Sequence, residues 1–174
     1  NGTGAISLTN ANTYAGGTVV SNGFTSANGP VTGGAATLLL SHSSALGAGP
    51  LTLDGGAITA STITNTWRTA EFNLTGGATV ANDIAFPTSL ITNLSLHGRD
   101  AASVFTLAGK LTGGHGSLTN WFDNGGGQVG VTRLSNPASD FLAGRVTINR
   151  GTLAITSGGA LGNVGNPVFI STNA

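Results

Sequence analysis

The chain contains no cysteine, which excludes disulfide bridges, thiol nucleophiles and thiolate metal sites together. Charge is nearly as scarce. Asp, Glu, Lys and Arg make up 7% of the 174 residues, six of each sign, and the net charge is zero, where an ordinary domain has about a quarter charged residues. Nucleic acid is therefore not an expected partner, because binding to a phosphate backbone rests on many cationic contacts. No apolar run approaches the roughly 18–20 residues of a membrane-crossing helix, so the chain is not expected to span a membrane. Its first residues, Asn1-Gly2-Thr3-Gly4, lack an initiating methionine and a basic, apolar signal segment, and read as the start of a mature or excised piece. No window of helical length keeps apolar residues at three-and-four spacing without Gly, Thr or Asn breaking it. Disorder needs low hydrophobicity with high charge, and 39% of this chain is hydrophobic.

What the chain has instead is 29 glycines and many Thr, Ser, Asn, Val, Ile and Leu residues, which suit pleated strands and the turns between them. It also repeats itself. Positions 36–47 and 151–162 agree in one register: Thr37 answers Thr152, Leu38 answers Leu153, Leu40 answers Ile155, and Ala45, Leu46 and Gly47 answer Ala160, Leu161 and Gly162. Upstream, Asn10, Tyr14, Gly17, Val19 and Asn22 align with Asn136, Phe141, Gly144, Val146 and Asn149. Downstream, the segment 49–53 aligns with 166–170, so the two copies run over about 8–53 and 134–170. The segment 24–35 has no counterpart and reads as a loop-like insertion; binding tends to reside in such loops, but a plain surface excursion is the simpler reading. Self-similarity of this kind predicts a solenoid, here a single unit over 1–174, rather than a globule around one central core.

Short alternating runs recur along the chain, such as Leu51 and Leu53, Ile84 and Phe86, Phe105 and Leu107, and Val146 and Ile148. Period two bounded by Gly, Asn or Pro is the pattern of strands with one buried face. Taking each run in turn predicts about eight coils of roughly 20–24 residues, stacked at about 4.8 Å per coil. The repeated positions Leu38, Leu40, Leu153 and Ile155 are expected inside. The Asn residues at equivalent turns (10, 22, 136 and 149) are expected to satisfy backbone groups.

An aromatic followed by Gly-Gly-Thr-Val-Val, then Gly-Thr-Leu-x-Ile or its equivalent, then Ala-Leu-Gly resembles the autotransporter-associated β-strand repeat of exported bacterial proteins. The matching positions are 14–20, 37–47, 105–118 and 141–162; the match through 58–103 is loose. The resemblance implies an all-β, right-handed parallel β-helix, secreted or displayed at a cell surface, and it brings no catalytic residues. The export signal and membrane anchor of the full family architecture have no counterpart in this sequence.

Residues able to do chemistry are dispersed. The six carboxylates, Asp54, Glu71, Asp83, Asp100, Asp123 and Asp140, are spread along the chain, whereas a glycosidase needs two across one cleft. His42, His97 and His115 come singly, without metal-ligand spacing. The glycine run at 125–127 lacks the Lys-Ser or Lys-Thr and following helix of a phosphate loop. No cofactor and no catalytic or metal residue is expected. Trp67, Trp121 and Phe122 are the candidate contact residues: aromatics flanked by Asn stack on sugar rings or anchor a partner, although core packing or end-capping is the simpler account of them. The sequence thus points to a non-enzymatic stalk, fibre or adhesin scaffold, partnered by neighbouring β-helical units and by a glycan or host-surface ligand. The alternative is a carbohydrate-binding or carbohydrate-active β-helix.

Overall fold

The computed structural model describes residues 5–19, 36–40, 42–52, 67–72, 79–86, 93–98, 104–122, 131–148 and 151–170. The insertion at 24–35, the turn amides Asn22 and Asn149, and the glycine run at 125–127 lie outside them. Among the described residues the protein is all-β, with parallel pairing between strands and a single 3-10 turn at Gly158–Leu161.

Three stacks of parallel strands account for the architecture. The first holds β1 (Ala5–Leu8), β3 (Ala36–Leu40), β5 (Trp67–Phe72), β8 (Asn93–Gly98), the second half of β10 (Leu111–Phe122), β12 (Leu142–Ile148) and β14 (Val168–Ile170), in that order. The second holds β2 (Thr18–Val19), β4 (Leu51–Thr52), β7 (Ile84–Phe86) and the first half of β10. The third holds β6 (Thr79–Val80), β9 (Val104–Leu107), β11 (Val131–Leu134) and β13 (Thr152–Ile155). Strand β10 belongs to two stacks because it bends between them. Gly113 and Gly114, at φ 80° and 81°, make the bend, and a Cβ on Gly113 would meet the Phe86 carbonyl oxygen at 2.6 Å. Only glycine combines that conformation with so close an approach.

Alternation explains what each strand buries. Leu118, Asn120 and Phe122 are buried on β10 while Thr119 between them is half-exposed, as the period of two requires. Across strands these inward positions line up into apolar columns: Leu51, Ile84 and Leu111 in one stack, Val80, Leu107 and Leu134 in another, all buried. Phe141 joins the stacks, its ring centroid 4.8 Å from that of Phe86 and 6.2 Å from that of Phe122, both edge-on.

Two expectations change. The register step is longer and less even than 20–24 residues: Ala5 pairs with Thr37 and Ala36 with Arg68, 32 residues on, Trp67 pairs with Asn93, 26 on, and Val146 with Val168, 22 on. Several alternating runs therefore share one step, as Ile84, Leu94 and Phe105 do on β7, β8 and β9. The second change concerns the repeated strands. Leu40 is buried, Leu153 is half-buried, and Ile155 is 44% exposed, because β13 is paired on one side only. The side chain of Leu38 lies outside the description.

Candidate interaction surface

Where the two sequence copies coincide is a corner, not a strand. Positions 37–40 belong to the first stack and 152–155 to the third. Yet the backbone after each closes identically: Ala48 N–H donates to Tyr14 O at 3.0 Å and Asn163 N–H to Phe141 O at 2.9 Å. Gly47 and Gly162 both stand at positive φ, 62° and 75°, directly against those same two aromatic residues. The Ala-Leu-Gly words encode this turn.

Asparagine amides tie one step to the next at such corners. Asn12 Nδ2 donates to Ala45 O at 2.7 Å; Asn82 Nδ2 donates to Gly47 O at 3.0 Å and Gly49 O at 2.7 Å. Asn136 Nδ2 reaches Ala108 O at 3.2 Å, and Asn166 Nδ2 donates to Phe141 O and Leu161 O, both at 2.9 Å, while its Oδ1 accepts from Ala143 N–H. Asn136 thus has the role expected of it. Asn10 is exposed, and the amide serving that corner is Asn12, two positions on. Sequence alignment of the copies could not reveal Asn82, whose carbonyl partners lie 35 and 33 residues away.

Among the described residues three charged groups, Lys110, Asp83 and Asp140, form a small cluster. Lys110 Nζ donates to Asp140 Oδ2 at 2.7 Å, and Lys110 N–H donates to Asp83 Oδ1 at 2.7 Å. Both carboxylates are thus engaged by the same lysine on an open corner. Among the described residues no three His, Asp or Glu side chains gather into a metal-sized group, and no helix is long and apolar enough to cross a membrane. His42 Nδ1 accepts from Ser44 N–H at 3.0 Å and His115 Nδ1 from Ser117 N–H at 3.3 Å, which is local turn bonding.

The three candidate aromatics separate by register. Phe122 is 1% exposed and packs on Phe141, so its ring belongs to the interior. Trp121 takes the alternate position on β10, paired with Ser95 on one side and Thr147 on the other. Trp67 opens β5 opposite Asn93. A further aromatic shares the register line of Trp121: Phe169, paired with Thr147, is 43% exposed, and the guanidinium of Arg145 lies 4.2 Å from its ring centroid. Its companions on β14 are exposed too, Ile170 at 73%.

No protein-family model, no curated protein and no solved structure matches this chain.

Proposed function

We propose that the chain is a segment of a right-handed parallel β-helix that acts as a non-enzymatic scaffold, a stalk, fibre or adhesin body, in an exported bacterial surface or extracellular protein. The observation that carries this reading is the stacking itself. Strands 21–33 residues apart pair in parallel, inward residues form apolar columns, and Asn12, Asn82, Asn136 and Asn166 bond corners of neighbouring steps together. Such an arrangement grows by repetition and supplies length and stiffness. Asp83 and Asp140 fit the same reading, since they share Lys110 on an open corner instead of facing each other across a cleft, as glycoside hydrolysis needs. The resemblance to the autotransporter repeat supplies the handedness and the surface location.

In this reading the β13 and β14 edges receive a neighbouring β-structured unit. Ile155, Val168, Phe169 and Ile170 are exposed there, and an unpaired parallel edge is a template for strand addition. Sedimentation velocity across a range of concentrations tests this: head-to-tail oligomers should grow with concentration, and Ile170→Lys should abolish them. A monomer at every concentration would remove the stacking part of the proposal. Release of reducing ends from any member of a polysaccharide panel would overturn the non-enzymatic part.

A further inference from the structure

Along the third stack each step bonds back to the one before it in the same way. Ala108 N–H donates to Val80 O at 2.8 Å, Ser135 N–H to Leu107 O at 3.1 Å and Thr156 N–H to Leu134 O at 3.2 Å. A side chain from the following step then takes the carbonyl of the donor residue. Asn136 Nδ2 donates to Ala108 O and Thr156 Oγ1 to Ser135 O, both at 3.2 Å. Thr156 O is next in that series. Among the described residues it accepts no hydrogen bond, and the column residue before it, Ile155, is 44% exposed.

The matching groups stand at the opposite end, on β1. Leu8-Thr9-Asn10 repeats the pattern of Leu134-Ser135-Asn136, and the pairing repeats with it. Leu8 pairs with Leu40 on β3 as Leu134 pairs with Ile155 on β13. The corners that follow β3 and β13 are closed by equivalent bonds, to Tyr14 O and to Phe141 O. β1 therefore stands to β3 as β11 stands to β13. The side of β11 that faces β9 corresponds to the side of β1 that has no partner among the described strands. Asn136 uses that side to reach Ala108 O. Asn10, its counterpart, is exposed and makes no side-chain hydrogen bond among the described residues.

Unused acceptors thus lie at one end and the matching donors at the other, in the arrangement already realised inside the molecule between β9 and β11. We propose that the partner of the β13 edge is β1 of a second copy, added in parallel, with Leu8 against Ile155, Thr9 N–H donating to Ile155 O and Asn10 Nδ2 donating to Thr156 O. This rests on the reading that the ends stack, and adds to it the partner strand, the register and the side chain that fixes it. The column Leu107, Leu134, Ile155 then continues through Leu8 into Leu40 of the second copy. A slip of one residue would turn Leu8 away from that column.

The chain has no cysteine, so introduced thiols report the joint directly. Thr9 and Thr156, both exposed, face each other in this register across the roughly 4.8 Å between neighbouring strands, within disulfide range. Thr152 lies on β13 about 13 Å along the strand from Thr156. Intact proteins carrying Thr9→Cys, Thr156→Cys or Thr152→Cys are oxidised mildly, alone and in pairs. Mixed 9/156 dimers should form at least tenfold faster than 9/152, 9/9 or 156/156 dimers. In sedimentation velocity, Asn10→Ala should weaken self-association at least fivefold while leaving the urea midpoint in dilute solution unchanged. A parent protein that stays monomeric at every concentration would remove the stacking reading and this joint together. Oligomers that cross-link 9/152 or 9/9 as readily as 9/156, or that associate undiminished after Asn10→Ala, would leave stacking in place and overturn the joint.

Discussion

Asn82 shows how much one side chain does in this protein. Its amide nitrogen donates to two carbonyl oxygens one step away, Gly47 O and Gly49 O, at a corner where neither strand pairing nor a helix would satisfy them. Removing a partner from half-buried carbonyls costs about 1–3 kcal/mol. Asn82→Ala should therefore lower the urea midpoint by an amount corresponding to about 2 kcal/mol, while Asn10→Ala, at an exposed position, should leave it unchanged. Equal effects of the two would mean that the corner amides are interchangeable surface residues. Asn120 is the opposite case. It is completely buried, and neither its Nδ2 nor its Oδ1 has a hydrogen-bond partner, an arrangement that costs stability. Asn120→Leu, which sets an apolar side chain beside its buried register neighbour Val146, should be neutral or stabilising in the same assay.

Strands in this fold are short, several of two or three residues, and would not be stable alone. Their order comes from stacking. Leu107 has Val80 on one side and Leu134 on the other, and all three are buried; Ile155 ends the same column and is paired on one side only. Leu107→Ala should cost about 2–5 kcal/mol, as buried leucines do, and Ile155→Ala well under half as much, measured by chemical denaturation. The same contrast marks what can be read from sequence. Period-two alternation revealed the strands at 84–86, 104–107 and 146–148, and the Ala-Leu-Gly words marked two equivalent corners. Register was not legible, because it depends on how many residues the chain spends between stacked strands, and that number varies from 21 to 33. The exposure of Phe169 is illegible for the same reason: all three residues of β14 are exposed at a strand paired with β12 alone, which alternation along the chain does not disclose. Phe122, adjacent in sequence to Trp121, is buried against Phe141, a long-range contact that sequence adjacency does not disclose.

As a whole the molecule is a stack whose identity lies in parallel pairing at long sequence separation. A chain with no cysteine allows that pairing to be tested without background. Thr52 and Ala85 are partners on β4 and β7, both half-buried on the side opposite Leu51 and Ile84. Neighbouring strands place such Cα atoms about 4.8 Å apart, within the roughly 4.4–6.8 Å range of a disulfide. Thr112 follows Ala85 in the same line, which sets it about 9.6 Å from Thr52, beyond that range. The decisive measurement is disulfide formation under mild oxidation in the cysteine pairs 52/85, 85/112 and 52/112, read by thiol titration and peptide mass. The stacked parallel register predicts rapid intramolecular closure of 52/85 and 85/112, and none of 52/112. Closure of 52/112 with failure of the two adjacent pairs would contradict it.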